Sequence, residues 1–193
     1  MLADLAVFLL IFFGLWSLAI ARLWEGLGGG PAWAAVKFAL WMGLSVPYAR
    51  LCFGPGWIGR TGLATLSWRG LLVGAAAAAL MGILLQMTDA SWPTPTPAAV
   101  LLPLAGEFTF RGVVQERLRY ALGGGAAAAV FMQALLFTAA YVPGWLLLGL
   151  HPGPVGVGTV LAVGLAAGTL RAATGSLWPG AILHVVNNLA APG

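Results

Sequence analysis

The chain has 193 residues, of which 61% are hydrophobic and only 7% charged, with a mean hydropathy of +0.95 and a formal charge of +4. Soluble domains carry about 25% charged residues, so an ordinary soluble globular fold is excluded. The nine basic residues are scattered and form no basic–aromatic patch of the kind that binds nucleic acid, and a single cysteine, Cys52, excludes an internal disulfide or a multi-cysteine metal site.

Leu2 to Ala21 is an apolar run of about the length that crosses a bilayer. Ala19-Ile20-Ala21 looks superficially like a signal-peptidase site, but the run is long for a signal peptide and Asp4 stands where positive charge should be, so an uncleaved first helix is expected. A second span, Trp33 to Tyr48, follows Gly28-Gly29-Gly30-Pro31 and is weakened by Lys37. Residues 49 to 70, with Arg50, Arg60, Arg69 and several glycines, read as a loop or interfacial stretch. Leu71 to Met87 is a third, alanine-rich span, and Thr88 to Pro97 is the clearest loop in the chain.

Four further segments are expected, at about 98–122, 123–142, 155–172 and 175–191. Breaks fall at Gly123-Gly124-Gly125, Pro143-Gly144, the proline-rich stretch around His151, and Thr174-Gly175. The triple glycine reads as a tight turn, since no Walker lysine follows it. The sum is an all-α, polytopic transmembrane bundle of about seven helices without internal repeats. The glycines and prolines fit packed transmembrane helices better than a linker. With the N-terminus in the cytoplasm, Arg50, Arg60, Arg69, Arg117, Arg119 and Arg171 fall at inner ends and Arg22 at an outer one. The loops at 88–97 and 143–154, free of lysine and arginine, then face outward. Trp24, Trp92, Trp145 and Trp178 lie near helix ends and read as interfacial anchors.

In the last four spans the conspicuous side chains come in pairs four apart: Glu107 with Arg111, Phe137 with Tyr141, and His184 with Asn188. That spacing places each pair on one helical face, and glutamate before arginine is the favourable order for an ion pair. The antiparallel layout brings all three pairs to one depth, in the outer half of the membrane. A charge at mid-membrane costs about 2.5–3.5 kcal/mol on the insertion scale, so Glu107 and Arg111 are expected to be paired and inward-facing. Read from the residues alone, His184 and Asn188 are either interhelical hydrogen-bonding groups or donors to a substrate carbonyl. Tyr141 reads as a packing residue and His151 as a solvated loop residue. With one core histidine, no metal is expected.

Three blocks carry a resemblance: Glu107-Phe-Thr-Phe-Arg-Gly-Val-Val-Gln; Leu136-Phe-Thr-Ala-Ala-Tyr-Val-Pro; and Gly168-Thr-Leu-Arg-Ala-Ala-Thr-Gly-Ser-Leu-Trp-Pro-Gly-Ala-Ile-Leu-His-Val-Val-Asn-Asn. In this order, over about residues 100 to 190, they resemble the CPBP family of CAAX-protease and bacteriocin-processing membrane proteins. The resemblance implies a helical intramembrane protease core at 98–191, preceded by transmembrane helices and loops at 1–97 within one membrane domain. It implies a bacterial-type plasma membrane, no cofactor, and lipids with a transmembrane or lipidated peptide as partners. The family motifs are E-E-x-x-x-R, F-x-x-x-H and H-x-x-x-N. Their first glutamate and second-motif histidine activate water, and the last histidine and asparagine stabilise the oxyanion. The second glutamate and the arginine are structural.

Position by position, Arg111 and Glu107 match the arginine and the second glutamate, Phe137 matches its phenylalanine, and His184 and Asn188 match the third motif. Gly106 stands in place of the first glutamate and Tyr141 in place of the second-motif histidine. The expected consequence is impaired or lost peptidase activity, or a binding protein that no longer cleaves. In the ion-pair reading, Arg111 holds Glu107 ionised and turned away from the site; in the competing one, Glu107 takes over as base.

Overall fold

The computed structural model describes residues 2–27, 30–86 and 97–190, and among them the chain is helical, with no β-strand. Helix α1 spans Leu2–Leu27 and α2 Pro31–Phe53; a 3₁₀ turn, Gly54–Gly56, leads into the short α3, Trp57–Arg60. α4 spans Trp68–Gln86. α5, Pro97–Glu107, runs through a π-helical stretch, Phe108–Val114, into α6, Gln115–Ala121. α7 is Ala126–Ala139, α8 Val142–Leu147, α9 Gly153–Thr174 and α10 Trp178–Ala190. Taking α5 to α6 as one rod, and α7 with α8 as another, the bundle has seven principal rods. By length and composition, α1, Ala126–Leu147 and α9 can cross a membrane, and α4 is a shorter apolar helix.

Differences from the sequence reading lie at the ends. The second span runs on to Phe53, because proline at its first position starts a helix readily and Pro47 is accommodated inside it. Pro143 does not end the fifth rod but lies in the first turn of α8; the break sits before it, at Ala140 and Tyr141. The glycine turn after α6 forms as expected, with Gly123 and Gly124 at φ 66° and 94°, a region glycine enters without steric cost. The loop expected at 88–97 lies outside the described residues except for Pro97, which opens α5. Trp92 is likewise outside them.

Small residues set the helix spacing. Gly164 of α9 faces Ala134 and Phe137 of α7, and a Cβ there would lie 3.2 Å from the Ala134 Cβ. Gly168, one turn on, faces Gln133 and Gln115. Gly70 and Gly74 of α4 form a second such stripe, against Pro179 of α10. Close backbone approach of this kind drives helix association where the solvent is itself apolar.

Two buried clusters fill the interior. The larger one joins Phe8, Phe12 and Trp16 of α1 and Trp33 and Trp41 of α2 to Phe110 and Phe137. Its rings meet edge to face, Trp41 to Phe110 at 5.7 Å and Phe110 to Phe137 at 5.5 Å between centroids. The Trp16 indole donates to the Ala140 carbonyl at 2.8 Å, so α1 pins the break between α7 and α8. The tryptophans read as anchors have interior duties too: Trp24 packs edge-on against Trp33, and Trp178 donates to the Leu63 carbonyl at 3.1 Å.

Arg60, Arg117 and Arg171 gather at one end of the bundle. Arg117 binds the Asp4 carboxylate at 2.6 Å, Arg60 donates to the Tyr120 hydroxyl, and Arg171 donates to the Arg60 carbonyl at 2.7 Å. These contacts join the start of α1, α3, α6 and the end of α9.

The spacing account predicts that Gly74→Ala lowers the unfolding temperature of the purified protein, since its Cβ would lie 2.7 Å from the Pro179 Cα; overpacking of this kind costs about 1–3 kcal/mol. Gly43→Ala, where a Cβ meets nothing within 4 Å, should be neutral or stabilising.

Candidate functional site

Glu107, Arg111 and His184 converge in the middle of the bundle, with side chains 1%, 0% and 5% exposed. Glu107 is the last residue of α5, and the helix widens at once into the π-helical stretch that carries Arg111. Such widenings reorient side chains and recur at functional sites. The His184 Nδ1 lies 2.9 Å from Glu107 Oε1, and Arg111 NH1 lies 3.2 Å from the same oxygen. The arginine contact is an ion pair without hydrogen-bond alignment, whereas the histidine contact is a true hydrogen bond. Against an ionised carboxylate the Nδ1–H is the donor, which leaves Nε2 with its lone pair in the neutral ring.

This geometry corrects the expectation that Arg111 holds Glu107 turned away. The carboxylate reaches across to α10 and joins Arg111 to His184. In a regular helix Glu107 points about 100° around from Gly106; Gly180, one turn before His184, leaves room for the reach. A Cβ at Gly180 would lie 2.7 Å from Glu107 Oε2.

Arg111 is held on several sides. Its guanidinium carbon sits 4.1 Å above the Phe137 ring, and NH2 lies 3.3 Å from the Gly164 carbonyl. Gln133 and Gln115 donate to the carbonyls of Gly164 and Gly168 at 2.9 and 3.0 Å. One face of α9, stripped of side chains by its glycines, thus accepts three long polar side chains from α6, α7 and the π-helical stretch. Sequence reasoning did not single out Gln115, Gln133, Gly164 or Gly168; glycines four apart were the available signal.

Phe137 occupies the centre, edge-on to His184 at 5.5 Å and to Tyr141 at 5.3 Å. Of the six side chains expected to meet, Glu107, Arg111, Phe137, Tyr141 and His184 are joined by these contacts, and Asn188 is not among them. Asn188 is half-buried one turn beyond His184, and its side-chain hydrogen bond is with Asn187, at 3.5 Å.

Three aromatic side chains pack around the face of Gly106. A Cβ added there would lie 3.6 Å from both the His184 Cε1 and the Trp41 ring, and 3.9 Å from Phe137. One carbon fits there in ordinary van der Waals contact with all three rings. Behind Trp41 lies Lys37, whose ammonium sits 4.7 Å from the Trp41 ring centroid, 5.4 Å from Trp16 and 5.7 Å from Tyr141. Among the described residues, ring faces rather than a carboxylate are its partners. The sequence marked Lys37 only as an intruder in a span; it proves to be a neighbour of the Tyr141 position.

An apolar cavity of about 170 Å³ opens on the other side of Glu107, lined by Phe38, Met42, Leu101, Leu104, Leu177 and Trp178 among others. Glu107 Oε2, buried and without a hydrogen-bond partner among the described residues, belongs to the carboxylate that lines it.

The buried pair predicts that Arg111→Ala destabilises the protein by about 3–5 kcal/mol in thermal or denaturant unfolding, because it strands a charge in low dielectric. Gly180→Ala should also be destabilising, by displacing Glu107. Wild-type stability in both variants would refute this geometry.

Among curated proteins and among solved structures nothing matches the chain. Residues 88–190, more than half of it, match the family described as type II CAAX prenyl endopeptidase Rce1-like, a match that spans every residue of the Glu107–Arg111–His184 site. With its apolar helical bundle, this integral membrane protein belongs to the Rce1-like, CAAX-protease family.

Proposed function

We propose that this protein binds a membrane-embedded or lipidated peptide through the CAAX-protease fold but hydrolyses it weakly or not at all. The observation that carries this reading is Gly106 itself, which offers no carboxylate where the family pattern has its first glutamate and which packs against Trp41, Phe137 and His184. A general base must stand within hydrogen-bond reach of the attacking water. Gly106 has no side chain, and a tyrosine, with an ordinary pKa near 10, is a poor base at neutral pH. Glu107 is the carboxylate that remains, and Arg111 and His184 both draw on one of its oxygens.

The apolar cavity beside Glu107 supports the binding half of the proposal. Its walls suit a prenyl chain or an apolar peptide side chain, and Leu101, 44% exposed, stands at its edge. A ligand entering there meets the free Oε2 of Glu107, and beyond it the histidine.

One observation favours a second reading, a slow peptidase. Glu107 orients His184 through Nδ1, much as a carboxylate orients a catalytic imidazole, and this leaves Nε2 able to accept a proton. In that case His184 would act as base rather than oxyanion donor.

We further infer a plasma-membrane protein with its N-terminus in the cytoplasm, a reading supported by Arg60, Arg117 and Arg171 gathered at one end of the bundle.

The test uses the full chain in lipid with a fluorescent farnesylated CAAX peptide, anisotropy reporting binding and mass spectrometry reporting products. The expected outcome is saturable binding, weakened at least about tenfold by Leu101→Trp, with no product over hours. Turnover that vanishes in Glu107→Ala and His184→Ala would establish the peptidase instead. Packing at Gly106 gives a further expectation: Gly106→Ala leaves the unfolding temperature nearly unchanged, whereas Gly106→Glu lowers it. Tolerance of the glutamate would mean that the packing around Gly106 has room for a carboxylate.

A further inference from the structure

We propose that the polar vestibule at the arginine-rich end of the bundle binds the phosphate group of an anionic phospholipid. This site lies outside the apolar cavity of the proposed peptide ligand and does not depend on that reading.

The vestibule is a cavity of about 420 Å³ between α3, α6, the start of α7 and the end of α9. Arg60, Arg111, Arg119 and Arg171 line it, together with Gln115 and one carboxylate, Glu116. Arg119 uses Nε and NH2 on Glu116 at 3.1 and 2.8 Å, which leaves Arg171 at 3.9 Å from that carboxylate. Even with Arg111 assigned to Glu107, two positive charges remain unbalanced among the described residues.

Buried donors face the same space. Arg111 is wholly buried and Arg171 is 9% exposed, and the Nε of each has no hydrogen-bond partner among the described residues. Gln115 Oε1, also buried, has none either. A buried guanidinium N–H left unmatched is costly, and an anionic oxygen is the partner that matches it best. The one unmatched acceptor suits a head group that also carries a hydroxyl.

The rim indicates a lipid rather than a soluble phosphate. Ile58, next to the vestibule residues Gly59 and Arg60, is 43% exposed, and Leu122, at the turn into α7, is 37% exposed. A phosphate drawn in among the arginines would leave acyl chains to run over these side chains. This is also the end that the arginine distribution assigns to the cytoplasm, where the leaflet is anionic and attracts nearby arginines.

The experiment places the full-length protein in phosphatidylcholine nanodiscs with and without phosphatidylglycerol, and reads retained lipid by native mass spectrometry and stability by thermal unfolding. A third arm adds inorganic phosphate to phosphatidylcholine alone. The wild type should retain phosphatidylglycerol in preference to phosphatidylcholine and unfold at higher temperature in its presence. The double variant Arg60→Gln/Arg119→Gln should weaken retention about tenfold or more. Arg69→Gln removes one charge from the same end but outside the vestibule, over the Trp68 ring, and should weaken it far less. Should the double variant fail to fold, Glu116→Gln supplies the converse, tighter retention. The proposal is overturned by no preference for phosphatidylglycerol, by a loss in Arg69→Gln equal to that in the double variant, or by unchanged or weaker retention in Glu116→Gln. Equal stabilisation by inorganic phosphate would assign the vestibule to a soluble anion and overturn the lipid.

Discussion

A single carboxylate oxygen, Oε1 of Glu107, constrains the centre of this bundle. It lies 3.2 Å from a guanidinium and 2.9 Å from an imidazole in a region with almost no exposure to solvent. Desolvating a carboxylate and a guanidinium is expensive unless their geometry is good and the remaining polar atoms find partners. Much of the surrounding sequence answers that need. Gly180 leaves room for the carboxylate, Gly164 offers a carbonyl to Arg111, and Phe137 supplies a ring face beneath the guanidinium. Gln115 and Gln133 cap neighbouring carbonyls of the same helix. The close approach of α7 and α9 is thus tied to both packing and charge.

The same constraint shapes the chemistry. In the family pattern one glutamate activates water while its neighbour keeps the helix in order. Here the first position is Gly106, which packs against Trp41, itself backed by Lys37. The ion pair then divides the interior between an apolar cavity lined by Glu107 and a polar vestibule lined by Arg111. Recognition of an apolar ligand on one side and an anion on the other needs no hydrolytic step.

How much of this could be read from the sequence depended on whether the signal was local. Hydrophobic runs and glycine breaks located the rods, because bilayer thickness and backbone sterics act on contiguous residues. Spacing of four located Glu107–Arg111 and the meeting of Phe137, Tyr141 and His184. What escaped was interhelical or depended on irregular geometry. The π-helical stretch leaves no periodic mark in seven residues, Phe108–Val114, and so the reach of Glu107 to His184 could not be foreseen. Lys37 looked like a defect in α2 until α1 and Tyr141 were placed around it. The break after α7 was misplaced because Pro143 both ends and begins helices.

The central claim is that Glu107 is committed to joining Arg111 and His184, and a double-mutant cycle tests it most directly. Glu107→Gln and His184→Ala, singly and together, would be compared by equilibrium unfolding of the full chain in detergent. The account predicts a coupling energy above about 1 kcal/mol, as is typical of directly bonded groups. Additive effects of the two substitutions would contradict it, and would mean that the two side chains are neighbours without being joined.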